Sequence, residues 1–128
     1  ALLQVRVSPA QGTFPLWTGA GVFGNASLRE SYSNFPNPFP AGRGATAFAY
    51  YLRDAARVTL RILTPGGDGV ATLVDDGARP AGMNQSDLWN GRNGKGSVVR
   101  NGVYIAELAV TYADGSRDQA RRKVAVVR

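Results

Sequence analysis

A chain of 128 residues is long enough to bury about two thirds of its unfolded surface around one hydrophobic core and too short for two. It has neither Cys nor His, which excludes disulfides, thiol and imidazole nucleophiles, haem axial histidine and the ordinary zinc sites in one step. Its net charge of +6 rests on thirteen Arg and two Lys, a guanidinium-rich balance that suits ordered polar contacts and that a GC-rich genome also produces.

The first thirty residues differ from the rest. Leu3, Val5 and Val7 can make one strand, but Pro9 to Ala26 is a Gly/Ala/Pro stretch carrying Phe14, Leu16, Trp17, Val22 and Phe23 with almost no charge. Exposed aromatic rings are costly in water and linkers are usually poor in them, so these rings require a cover. Two covers fit: the arm folds back on its own domain, or it orders in a groove on another protein. Residues 1–30 are therefore assigned to an irregular N-terminal arm and 31–128 to one globular domain.

A strand is expected to begin near Ser31. From Gly44 onward the periodicity is that of strands: Phe48, Tyr50 and Leu52 alternate with Ala47, Ala49 and Tyr51, and Val58, Leu60 and Ile62 with Arg57, Thr59 and Arg61. Arg53 to Ala56 is short enough for a hairpin-type connection between them, and Pro65-Gly66-Gly67-Asp68-Gly69 ends the second. A third strand runs from Val70 to Val74. Asp75 to Gly82 reads as a loop, and Asn84 to Trp89 as a short strand. Asn90 to Gly102, rich in Gly and Asn, is the longest internal loop, with residue types that tolerate tight turns. Val103 to Tyr112 alternates again, and Asp114-Gly115 marks a hairpin into Arg117 to Val127. No apolar helical repeat lasts three turns. About seven short strands at this spacing predict an all-β, antiparallel immunoglobulin-like sandwich.

Three separated stretches carry a family resemblance: Asn34-Phe35-Pro36-Asn37-Pro38-Phe39, Trp89-Asn90-Gly91-Arg92-Asn93 and Asn101-Gly102-Val103-Tyr104. Together they resemble the immunoglobulin-like repeat at the C-terminus of the flagellar hook-capping protein FlgD and of many large bacterial secreted proteins, over residues 32–128. The resemblance makes Phe35, Pro36, Pro38, Phe39, Trp89, Gly91, Gly102 and Tyr104 the fold-defining positions. Physically, two prolines fix φ and remove donors where the chain enters an edge strand, Phe35 and Phe39 pin that entry, and Trp89 and Tyr104 fill the end of the sandwich. Asn90 and Asn93 stand where the family has acidic residues, which removes the carboxylates a cation would need. The hook-assembly region that precedes this domain in the flagellar protein has no counterpart here.

The remaining motifs carry little chemistry. Gly19-Ala20-Gly21-Val22-Phe23-Gly24 fits the dinucleotide-binding pattern by letter but lacks the strand and helix that make it work. Gly94-Lys95-Gly96-Ser97 lacks the earlier glycine of a phosphate loop and reads as a flexible turn. Asp75 and Asp76 are adjacent, so on a strand or turn their carboxylates point apart, and no nucleophile, base and orienting group can be assembled. The Arg-rich C-terminus, with Arg117, Arg121, Arg122, Lys123 and Arg128, offers charge but no row of exposed aromatics for base stacking.

The expectation is thus a protein that is not an enzyme, with no cofactor, no metal, no nucleic acid and no small-molecule substrate. Its partners are other protein subunits of a larger assembly, with a membrane surface as a further contact. Phe14, Leu16, Trp17, Val22, Phe23, Arg121 and Arg122 are the candidate partner-binding residues. The resemblance implies a place outside the cytoplasm of a bacterium, in the periplasm or at the cell surface. It also implies an alternative role, a C-terminal sorting or anchoring domain of a larger secreted protein, as in type IX secretion. No apolar run approaches the roughly 18 residues that cross a bilayer, and Leu2 and Leu3 lead at once into Gln4 and Arg6 rather than a signal peptide. An exported form of this sequence is expected to be mature or a fragment.

Overall fold

The structure is a computed structural model that describes residues 27–128. The predicted strand around Leu3 to Val7, the glycine motif at 19–24 and the arm residues Phe14, Leu16, Trp17, Val22 and Phe23 lie outside the described residues. Ser27 opens the description with a capping box on a single turn of helix, α1 (Leu28–Ser31): its hydroxyl accepts from the Glu30 amide at 3.0 Å and its own amide donates to Glu30 Oε1 at 3.2 Å. Two orphan amides are satisfied in this way, and Leu28 is buried beneath the turn.

Eight strands follow: β1 (Ser33–Phe35), β2 (Phe39–Pro40), β3 (Thr46–Leu52), β4 (Ala56–Leu63), β5 (Gly69–Arg79), β6 (Gly82–Trp89), β7 (Gly102–Tyr112) and β8 (Arg117–Val127). They form two sheets, β1-β3-β6 and β2-β8-β7-β4-β5, closed face to face as the immunoglobulin-like sandwich that the alternation predicts. The alternation sets what each strand buries. Phe48, Tyr50 and Leu52 of β3 and Val58, Leu60 and Ile62 of β4 are all at most 1% exposed, and Leu108 and Val110 of β7 and Val124 and Val126 of β8 join them in the same core.

Four details depart from the sequence reading. There are eight strands rather than about seven, because the proline motif supplies both β1 and the two-residue β2. β2 pairs parallel to β8, with Phe39 opposite Val126, so the sandwich is antiparallel everywhere except at this edge. The Arg53–Ala56 link is not a hairpin; β3 and β4 lie in different sheets and the link passes from one layer to the other. There Arg53 stacks 4.0 Å over the Tyr112 ring and donates to Ser116 Oγ at 2.8 Å, pinning the crossing to the β7–β8 turn. Finally, Asp75 to Arg79 is strand rather than loop. Asp76 adopts φ 53 and the pairing with β4 shifts register, so a bulge absorbs the turn-forming residues while Gly77, Ala78 and Arg79 still pair with Val58, Arg57 and Ala56.

Candidate interaction surfaces

The proline motif closes one edge of the larger sheet. Asn37 Nδ2 donates to the Lys123 carbonyl at 3.0 Å and Asn37 Oδ1 accepts from the Ala125 amide at 2.8 Å, so one side-chain amide takes the place of a neighbouring strand. Phe39 then buries its ring to 1% exposure and β2 continues the cover along β8. Asn34 reaches the other sheet, donating to the buried Thr46 hydroxyl at 3.0 Å. Pro36 and Pro38 lie in the bend between β1 and β2, and Phe35 is half-buried opposite Ala47.

At one end of the sandwich the rings of Phe39, Trp89 and Tyr104 pack in series, at 5.5 Å and 5.7 Å between centroids. Trp89 Nε1 donates to the Arg92 carbonyl at 2.9 Å, and the Tyr104 hydroxyl donates to the Arg100 carbonyl at 2.7 Å. Both polar handles therefore hold the Asn90–Asn101 loop rather than a ligand. Gly91 sits in that loop at φ 80, where an added Cβ would lie 2.3 Å from the Ala41 Cβ. Gly102 begins β7. Asn93 Oδ1 accepts from the amides of Lys95 and Ser97 at 2.9 and 3.0 Å, closing the turn with an amide oxygen where a carboxylate could have served.

Two carboxylates are buried, and the sequence analysis singled out neither. Asp87 on β6 takes the Tyr50 hydroxyl at 2.5 Å on Oδ2 and Arg79 Nη2 at 2.6 Å on Oδ1, with Arg79 Nε at 3.3 Å. This cluster stitches β5 to β6 across the two sheets. Burial, then the hydrogen bond and negative charge of Asp87, push the Tyr50 phenol above its ordinary range, while the bond to Asp87 strengthens the hold of Arg79 on its proton. Tyr32, also raised by burial, donates to the Ala106 carbonyl at 3.2 Å. With both oxygens engaged and the side chain buried, the cluster is suited to holding layers together.

Glu107, in the middle of β7, lies opposite Arg61 of β4 and Arg121 of β8. It takes Arg61 Nη2 on Oε1 at 2.7 Å and Arg121 Nη2 and Nε on Oε2 at 2.7 and 3.0 Å. Hydrogen bonding from Arg61 and then Arg121 outweighs burial and lowers its pKa below the ordinary 4.5. Cross-strand register creates this triad, and only register reveals it: Glu107 is 46 residues from Arg61 in sequence. Arg121 and Arg122, adjacent in sequence, part company here. Arg121 lies on the outer face of the larger sheet; Arg122 turns the other way, its Nε donating to the Tyr32 carbonyl at 2.5 Å and its Nη2 to that of Arg29 at 2.9 Å, and so holds α1 and β1 onto β8.

Among the described residues no group of three His, Cys, Asp or Glu side chains is placed to hold a metal ion, and no helix is long and apolar enough to cross a membrane. The clefts that do occur are shallow, such as the one lined by Arg29, Thr111, Arg117 and Gln119.

This architecture is that of known structures. The chain superposes on dimeric latent PorU from Porphyromonas gingivalis with a TM-score of 0.60 and 19% identity, over 76% of this chain and 9% of that one. It superposes on FlgD from P. aeruginosa with a TM-score of 0.56 and 16% identity, over 78% of each chain, and on FlgD from Xanthomonas campestris with 0.53 and 21%, over 82% of this chain and 76% of that one. The chain thus has the FlgD-like immunoglobulin-like fold, and it spans about a tenth of the length of PorU. No protein-family model and no curated sequence relative matches it.

Proposed function

We propose that this chain is a non-catalytic structural module or accessory subunit that docks on a larger protein assembly outside the bacterial cytoplasm, with the periplasmic face of a membrane complex as one host. The observation that carries this reading is the likeness to the FlgD structures over about three quarters of the chain, since the X. campestris protein is described by its role in hook capping and flagellar assembly. The chemistry of the fold agrees with it. Both buried carboxylates are spent on Arg and Tyr partners that tie strands together, and the polar groups of Trp89 and Tyr104 are spent on loop carbonyls. What remains outward among the described residues are strand edges and an Arg-rich surface, which supply backbone pairing and orientation, and the aromatic residues of the arm would add apolar anchors. Asn37 and β2 close β8 from Lys123 to Val127, whereas β5 and β6 end their sheets with no further strand beside them among the described residues.

Native pull-down of the chain in mild detergent with mass spectrometry tests the reading. A reproducible set of protein partners is expected, and a chain that migrates alone overturns it. Removing residues 1–26, which leaves α1 and its Ser27 cap in place, then isolates the arm: loss of the partner with little change in melting temperature assigns the arm to docking, and a large fall in melting temperature assigns it to the sandwich.

A second reading is favoured by one observation: in PorU the same fold is a small part of a much longer chain. This chain would then be a terminal sorting or anchoring domain, and its fusion behind an unrelated exported protein is expected to direct that protein to the cell surface.

A further inference from the structure

The strand registers define a sheet face that no other described element covers. Because Leu60, Leu108 and Ala120 point into the core, the residues that alternate with them on β4, β7 and β8 share the outer surface of the larger sheet. That surface carries five cations, Arg57, Arg61, Arg117, Arg121 and Lys123, and all five are exposed. Two carboxylates answer them: Glu107 between Arg61 and Arg121, and Asp76 against Arg57 at 3.0 Å. Arg117 and Lys123 make no ion pair among the described residues.

Glu107 does more than neutralise. Its side chain is 7% exposed while those of Arg61 and Arg121 are 49% and 63% exposed, so the buried carboxylate holds two guanidinium groups by one side and leaves their remaining N–H donors toward solvent. Guanidinium groups fixed in this way lose little entropy on taking a second carboxylate, and their fork geometry suits bidentate pairing. Along β8, alternate residues repeat every ~7 Å, the spacing at which every second side chain of an extended peptide also repeats. The cationic row ends on an apolar step, where Val103 and Val127 are 46% and 51% exposed.

We propose that the outer face of the larger sheet, from Arg117 to Lys123 across to Arg57 and Arg61, docks an extended acidic segment of a partner protein, with carboxylates on alternate residues and an apolar residue at the Val103 end. The inference rests on the docking reading above and names its surface. Charge complementarity sets the sign of the partner. A protein segment suits the face better than a bilayer, because its exposed large apolar residues are two valines and no large aromatic side chain is exposed on it to enter the interface. Nucleic acid would lack an aromatic platform for its bases.

The test is titration of the full chain, followed by amide NMR shifts, with a short peptide alternating Glu and Ser and ending in Val. Shifts confined to β4, β7 and β8, with affinity reduced about tenfold or more in the R117E/K123E double variant and unchanged in K95E, are expected. The Glu→Gln peptide binding equally well, shifts centred on other strands, or no binding overturns the proposal. Tighter binding of this face to phosphatidylglycerol vesicles or to duplex DNA than to the peptide also overturns it. The pull-down separates the two readings. A partner captured equally by the native chain and by R117E/K123E sinks this surface and leaves docking standing, whereas no partner with either sinks docking itself.

Discussion

Gly91 shows how one position can depend on two constraints at once. Its φ of 80 lies in the left-handed region, and the space for a side chain is already filled by Ala41, with the Ala41 Cα at 2.7 Å from an added Cβ. Backbone is the obstacle, so the neighbour cannot rotate away. Gly91→Ala is expected to destabilise the domain by about 3 kcal/mol, combining the left-handed penalty with overpacking, and urea unfolding measures it. A loss under about 1 kcal/mol would mean that the Trp89 loop moves freely away from Ala41. Asp87 illustrates the opposite case, a residue with no freedom because its partners use both oxygens: Tyr50 from the core and Arg79 from the neighbouring sheet.

Among the elements, the entry strands do the least pairing and the most sealing. β2 is two residues long, yet with Asn37 it covers β8 from Lys123 to Val127 and removes a row of unpaired backbone groups that would otherwise recruit another chain. Replacing Asn37 with Ala deletes both side-chain bonds to that edge. The expected outcome is a loss of about 1–2 kcal/mol, moderated by the exposure of the site, together with faster hydrogen exchange at the Ala125 amide. Unchanged protection at Ala125 would show that β2 alone holds the edge. β5 and β6 remain outermost, and there the bulge at Asp76, the ion pair of Arg57 with Asp76 and the link from Arg79 to Asp87 bend and bind the strands so that they do not present a flat row.

At the scale of the whole molecule, the two sheets are joined by polar groups as well as by the core. Tyr32 and Arg122 fasten the smaller sheet's entry to β7 and β8, and Tyr50, Asp87 and Arg79 fasten the far edge. Acid should loosen the larger sheet first at Glu107. Its folded pKa is lower than the ordinary 4.5 of the unfolded chain, so its contribution is complete above 4.5 and is lost as pH falls through the folded value. E107Q is expected to cost about 2 kcal/mol at neutral pH, less than a fully buried pair because both guanidinium groups are half exposed. The variant should also lose less stability than the native chain as pH falls below 4.5. Urea midpoints across that range check this, and parallel curves for the two proteins would refute it. Asp114, lowered by its bonds to Ser116, stays in both proteins and leaves a residual slope of the same sign.

Alternation along β3, β4 and β7 was sufficient to define a sandwich, because a strand's two faces follow from a period of two and each face's polarity is written in consecutive residues. The proline motif, Trp89 and Tyr104 were placed by the family resemblance, and ring size, fixed φ and missing donors, which are properties of single residues, account for them physically. Which layer each strand joins was decided only in three dimensions, since Arg53 to Ala56 is equally short whether it turns back or crosses over. The bulge in β5 was hidden because Asp75 to Gly82 has loop composition and only pairing with β4 keeps it extended. Glu107 and Asp87 could not be singled out in advance, and Asn37 stood in the proline motif without its role, as each acquires that role from partners 8 to 88 residues away. Cross-strand register sets those distances, and with them the cationic face that a linear reading divides among three separate strands.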